Sequence, residues 1–168
     1  MLARLLAKAS TQDYEAAGVS YADRRVYGAK YDEARGRGTV EIAKLIRADI
    51  RLALKVAKAT AGPGALVVHD PLAALPDGLK ITVRTHLYSG GSSIDIVVRN
   101  IPDNWAWVEV DDYLGHPRKV ASPALKALAD ELKAISDAFN YDGSDLMTDY
   151  FDVNFYGHVI TDKGRTLA

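Results

Sequence analysis

The stretch LKITVRTHLYSGGSSIDIVVR, residues 79–99, alternates apolar and polar side chains on both sides of a Gly-Gly pair. The apolar positions are Leu79, Ile81, Val83, Ile94, Ile96 and Val98. Period-two alternation around a short glycine turn predicts an antiparallel β-hairpin with one face on a core. A two-residue turn needs a positive φ, so we expect Gly90 or Gly91 to adopt one.

Two amphipathic helices flank this hairpin. The first is expected to start with Thr39 as its N-cap and to run to about Ala59, just before a Gly-Pro-Gly stop. The second is expected to start with Ser122 as its cap and Pro123 at its first position. Its apolar residues recur at three- and four-residue spacing, which predicts one buried face. They are Leu125, Leu128, Leu132, Ile135 and Phe139.

A last strand is expected from about Asp149 to Thr161, with Phe151, Val153 and Phe155 on one side. The element order is then α-β-β-α-β. The economical packing is an α+β fold, in which the hairpin and the C-terminal strand form a small antiparallel sheet with the two long helices on one face. Residues 102–121 stay ambiguous between a loop and a third strand.

The domain organisation follows from the same pattern. A chain of 168 residues fits one domain with extensions. We expect a helical N-terminal extension at 1–38, an α+β domain at 39–161 and a C-terminal tail at 162–168.

The amino-acid composition limits the kinds of function that the chain can have. The chain has no cysteine, which excludes disulfides and thiolate chemistry. No run of roughly 18 apolar residues occurs, so we expect no membrane partner and a cytoplasmic location. The net charge of −1 divides unevenly, because residues 1–60 carry a charge of +5 and residues 61–168 a charge of −6. Such a split is typical of a basic binding surface, although small domains also show it by accident.

The first helix carries a basic stripe, which we define as Lys44, Arg47, Arg51, Lys55 and Lys58. At 100° per residue, these five cations fall within an arc of about 80° that contains no acid. The arrangement predicts a surface facing a polyanion or an acidic protein. The alternative is a solvated face whose charge is balanced by the acidic half of the chain.

The sheet face away from the helices is a second candidate. Its expected residues are Thr82, Arg84, His86, Asp95, Arg99, Tyr150, Asp152, Asn154 and Tyr156. Arginine with tyrosine on an open sheet can bind single-stranded nucleic acid by stacking, so we assign binding roles to Arg84, Arg99, Tyr150 and Tyr156. Asp95 and Asp152 would oppose phosphate, and any half-exposed sheet shows mixed polar residues.

Catalytic and metal-binding patterns are missing from the sequence. The four histidines are scattered without ligand spacing. Asp142, Ser144, Asp145 and Asp149 could coordinate a hard cation, but no glutamate closes a calcium loop, and Asx turns with a cap explain them more simply. Gly36–Thr39 lacks the preceding strand of a phosphate loop. We predict no catalytic residues, no metal and no cofactor.

Three stretches resemble a known family. They are TVEIAKLIR at 39–47, ITVRTHLYSGGSSIDIVV at 81–98 and YDGSDLMTDYFDVNFYGHV at 141–159. They resemble a large polyvalent protein-associated domain family of phages and plasmids, in which an "AKLIR" helix precedes a "YSGGSSI" hairpin. Two departures are a long insert at 57–79 and the absence of the family's "W-x-DGP" ending at 101–107. The resemblance implies a mobile-element origin and work on host machinery, including defence systems, and it supplies no catalytic residue.

These observations favour a non-enzymatic binding protein of phage or mobile-element origin, located in the host cytoplasm. It would act on a host protein or protein complex, with counter-defence inhibition as one form of that action. The alternative is a nucleic-acid-binding accessory protein that uses the basic helix face. A third interpretation is a small enzyme acting on a nucleotide or nucleic acid, which a deep polar pocket with convergent carboxylates and His86 would favour.

Overall fold

The computed structural model describes residues 26–60, 70–144 and 152–168. These ranges contain both helices and strands, which confirms the predicted α+β class. In chain order they are β1 (Val26–Tyr27), α1 (Tyr31–Ala34), α2 (Thr39–Thr60), β2 (Lys80–Tyr88), β3 (Gly91–Arg99), α3 (Asp103–Ala106), β4 (Trp107–Asp111), β5 (Pro117–Ala121), α4 (Pro123–Asp137), β6 (Tyr141–Asp142) and β7 (Tyr156–Thr161).

The predicted hairpin is present as β2 and β3. The two strands pair antiparallel from Lys80↔Arg99 to Tyr88↔Gly91, which leaves a two-residue turn. Gly90 in that turn has a φ of 94°, so the prediction of a positive φ at one of the two glycines is confirmed. A side chain with a Cβ rarely adopts this φ, which explains glycine at the position.

The C-terminal strand runs in the direction opposite to the one expected. β7 pairs parallel with β3, from Ser93↔Tyr156 to Val98↔Thr161, so the predicted all-antiparallel sheet is wrong. The sheet order is β2-β3-β7, with β3 in the centre. The physical reason is the helix α4, which lies between β3 and β7 in the chain and supplies the long crossover that a parallel pair needs. The strand also begins at Tyr156 rather than near Asp149.

The core lies between this sheet and the two long helices. α2 contacts β2 and β3, α4 contacts β7, and the two helices touch each other. Ile46 and Leu128 from the helices are fully buried against Ile96 and Val159 of the sheet. Ser122 caps α4 as predicted, since its Oγ accepts from the Leu125 N–H at 3.1 Å.

Thr39 does not serve as the N-cap of α2. The carbonyl of Gly38 accepts from the N–H groups of Glu41 and Ile42. The hydroxyl of Thr39 instead donates to Ser92 Oγ at 2.8 Å, which joins the start of α2 to the hairpin.

The ambiguous residues 102–121 form the short helix α3 and a separate two-stranded ribbon. β4 and β5 pair antiparallel from Trp107↔Ala121 to Asp111↔Pro117. Most of the ribbon is exposed, and Tyr113 near its tip is 93% exposed. At its base, the Arg165 guanidinium lies 4.1 Å from the centre of the Trp107 ring and donates to Lys119 O.

The described residues of both expected extensions, 26–38 and 162–168, contact the α+β domain. Residues 1–25 lie outside the described part, but Val26 and Tyr27 pair with β6, and the helical portion of 26–38 is only the four residues of α1. Lys30 binds the Asp49 carboxylate of α2. Residues 162–168, expected to be a tail, fold back along β7, where Leu167 N–H donates to Val159 O.

Candidate functional site

Four members of the basic stripe are exposed on the outside of α2. Lys44, Arg51, Lys55 and Lys58 project into solvent, and no ion pair joins them to any residue within 26–60, 70–144 or 152–168. The acids of α2 lie elsewhere, because Glu41 is in the first turn and Asp49 is bound to Lys30. The positive charge of these four side chains is therefore not compensated by an acid of their own helix.

The fifth member, Arg47, has a different environment. It is half-buried, and its Nη2 donates to the Val83 carbonyl of β2 at 2.9 Å. Arg47 therefore fastens α2 to the edge strand of the sheet. The binding role of Arg47 stays a prediction.

An apolar strip runs beside the basic stripe and was missed by the sequence analysis. Leu52 is 59% exposed and Val56 is 42% exposed, with exposed Ala48 and Ala59 next to them. The angular position of Leu52 could have revealed the strip. At 100° per residue, Leu52 lies about 120° from Ile46 and about 160° from Ile50, both of which are buried.

The strands bring a second group of residues together on the sheet face away from the helices. Arg84, Asp95 and His158 stand in one row across β2, β3 and β7. His86 lies in the next row with Ser93 and Tyr156. His86 Nε2 is 3.2 Å from one oxygen of Asp95, and His158 Nδ1 is 3.2 Å from the other.

The predicted residues of this face are only partly brought together. Arg84 and Tyr156 share the face and are exposed. Arg99 lies at its far end beside Lys80, half-buried, and its Nε has no hydrogen-bond partner among the residues that the structure describes. Tyr150 lies outside the described residues.

Two acids and an amide were expected on the same face. Of these, only Asp95 lies on it. Asp152 and Asn154 precede β7, and an Asp152 oxygen accepts from the Tyr141 hydroxyl at 2.7 Å. The expected repulsion of phosphate by Asp152 therefore does not arise at this face.

An open cleft of ≈ 540 Å³ lies between α4, the β1–β6 pair and β7. Tyr27 and Tyr141 line it and pack against each other, with Tyr31 in contact with both rings. Lys133 and Asp137 also line the cleft and form an ion pair. His158 is at this cleft, whereas His86 is not among its lining residues.

The part of the chain that the structure describes was also compared with the requirements of a metal site and of a membrane-spanning helix. No group of three His, Asp or Glu side chains within them is arranged to hold a metal ion. Asp145 and Asp149, considered above for a hard cation, lie outside the described ranges. No helix of the described part is long and apolar enough to cross a bilayer.

Comparison of the chain with protein-family models, with curated proteins and with solved structures gives no match. The likeness to the polyvalent protein-associated family therefore rests on the three quoted stretches alone.

Proposed function

We propose that this chain is a non-enzymatic binding protein that docks an acidic protein surface on the outer face of α2. The observation that carries the proposal is the pairing of two features on one helix. Four exposed cations without ion-pair partners in the described ranges run beside exposed Leu52 and Val56. A helix in solvent gains from mixed charges at i,i+4 spacing, and this helix gives up that gain along its basic stripe.

The apolar strip favours a protein partner over nucleic acid. Burying a leucine or valine side chain stabilises a complex by about 1.5–3 kcal/mol, but a phosphate backbone offers little apolar surface to bury it. An acidic, apolar surface complements both halves of the α2 face. The cations would speed association, and Leu52 and Val56 would anchor the complex.

The biological setting of the proposal comes from the family resemblance. A protein of phage or mobile-element origin would meet an acidic host protein in the host cytoplasm, and inhibition of a defence component is one such action. Nucleic-acid binding through the same cations is the second candidate, because the stripe contains no acid.

The test compares three variants with the unaltered protein in affinity capture from bacterial lysate treated with nuclease. One variant reverses the stripe and leaves Arg47 intact, as K44E/R51E/K55E. A second removes the apolar strip, as L52S/V56S. The control reverses three exposed cations elsewhere on the surface, as R118E/K126E/K163E.

The proposal expects one protein, captured in stoichiometric amount, that the control retains and both α2 variants lose. Untreated lysate provides the nucleic-acid comparison. Nucleic acid retained by L52S/V56S but lost by the charge-reversed variant would favour the second candidate. Equal retention of every component by all four proteins would remove the α2 face as a binding surface.

A further inference from the structure

We infer that the exposed part of the sheet face away from the helices, around Arg84, His86 and His158, binds single-stranded nucleic acid, and that binding tightens as the pH falls. A phosphate would bind Arg84 and an outward-facing ring nitrogen of His86 or His158, and a base would stack on Tyr156. This surface is on the opposite side of the sheet from α2, so the inference goes beyond the proposed docking of a protein on that helix.

Asp95 lies against two histidines and is less exposed than either. Its carboxylate is only 15% exposed, whereas His86 and His158 are 57% and 46% exposed. Because the carboxylate only accepts hydrogen bonds, His158 turns its Nδ1–H toward one oxygen, and His86 Nε2 lies 3.2 Å from the other. The other ring nitrogens, Nδ1 of His86 and Nε2 of His158, are then directed away from Asp95 and are available to a ligand.

The net charge of this cluster depends on its two histidines. With both imidazoles neutral, Arg84, His86, Asp95 and His158 carry no net charge. With both protonated, they carry two positive charges. Protonation of the two imidazoles therefore turns this surface into an anion site. Protonated ring nitrogens that face away from Asp95 would donate charge-assisted hydrogen bonds to phosphate.

The other charged and titratable groups around the two imidazoles do not cancel this change. They are Tyr88 from β2, Tyr156 from β7, and Lys133, Asp137, Tyr141 and Asp142 of the cleft that His158 lines. The Asp137 carboxylate is paired with Lys133. Asp95, which the sequence suggested would repel phosphate, lies against both histidines instead.

Two exposed aromatic rings lie on the same face as these residues. Tyr156 is 38% exposed and stands one row from Asp95, and Tyr88 is 51% exposed at the turn end of β2. Tyrosine beside cations on an open sheet stacks unpaired bases, and each such contact changes affinity by roughly tenfold or more. This combination favours single-stranded nucleic acid over an acidic peptide.

The experiment measures fluorescence anisotropy with labelled oligouridylate and oligothymidylate of about 12 nucleotides, a length within the range of single-strand sites. Titrations are run near pH 6 and near pH 8 at one ionic strength. We expect the unaltered protein to bind about tenfold or more tightly at the lower pH. A preference between the two oligonucleotides would distinguish RNA from DNA, which share the phosphate chemistry.

Variants separate this surface from the rest of the molecule. H86Q/H158Q should abolish the pH dependence, and H116Q, at an exposed histidine in the β4–β5 turn, should retain it. Y156A should weaken binding about tenfold at both pH values, and Y156F should restore it. Thermal unfolding of each variant at both pH values verifies that it is folded.

Four outcomes would overturn the inference. They are an affinity that does not change with pH, a pH dependence that survives in H86Q/H158Q, equal binding of labelled polyglutamate, and loss of binding in K44E/R51E/K55E with no effect of the sheet variants. The last outcome would move the nucleic-acid site to α2. Failure of protein capture by α2 would leave the sheet proposal standing, because H86Q/H158Q and Y156A alter the sheet face and leave α2 intact.

Discussion

Arg47 and Arg51 lie one turn apart on α2 and have the same side chain in different surroundings. The guanidinium of Arg47 is half-buried and donates to Val83 O, whereas Arg51 is exposed and has no partner within the described ranges. A charged hydrogen bond to a partly buried carbonyl stabilises the fold, and its loss also leaves that carbonyl without a donor.

We therefore predict that Arg47→Ala lowers the free energy of unfolding by about 1–3 kcal/mol, while Arg51→Ala changes it by less than about 0.5 kcal/mol. Urea denaturation of the two variants measures the difference. Equal effects would mean that the Arg47 contact contributes nothing to stability and that the residue belongs with the exposed stripe.

Some residue-level features could be predicted from the sequence, and others could not. The helical repeat alone placed Lys44, Arg51, Lys55 and Lys58 on one face, because angular position depends only on local geometry. The contact of Asp95 with His158 was beyond that reasoning. It requires the parallel pairing of β3 and β7, which joins residues 63 positions apart.

At the scale of elements, local signals predicted α2, α4 and the hairpin well. Caps, glycine turns and apolar periodicity act within a few residues, so the sequence contains them directly. The direction of β7 depends on where α4 returns the chain, and the sequence pattern of a strand is the same in either direction. The helix–sheet core nevertheless follows from the apolar faces of those elements.

The core supports a matched prediction with one substitution at two sites. Leu128 of α4 is fully buried, and Leu52 of α2 is 59% exposed. Leu128→Ala should lower the free energy of unfolding by about 2–5 kcal/mol, as should Ile46→Ala, because each leaves a cavity. Leu52→Ala should change it by less than about 0.5 kcal/mol. Chemical denaturation provides the comparison, and similar losses at Leu128 and Leu52 would mean that the helix faces are misassigned.

At the scale of the whole molecule, residues from both ends of the described part hold the domain together. β1 pairs with β6, and Lys30 binds Asp49, so the segment before α2 contacts both long helices and the residues after α4. The C-terminal residues run along β7 and reach the β4–β5 ribbon through Arg165. The sequence predicted extensions here because these backbone hydrogen bonds leave no helical or strand periodicity in the segments.

The same organisation predicts an unequal distribution of local stability. β3 pairs on both sides, with β2 and β7, and its residues Ile94, Ile96, Val97 and Val98 are at most 1% exposed. β4 and β5 pair only with each other among the described strands, and their outer residues are exposed. An isolated two-stranded ribbon is marginally stable in water, so it should open without unfolding the core.

Amide hydrogen exchange tests this distribution. The β3 amides should exchange only through global unfolding, and the paired amides of β4 and β5 should exchange at least about tenfold faster. The measurement is made at two protein concentrations, because association could cover the ribbon. Ribbon amides that are as slow as those of β3 at both concentrations would contradict the prediction. Slow exchange only at the higher concentration would instead show that exposed side chains such as Val108 and Tyr113 are covered by a second copy of the chain.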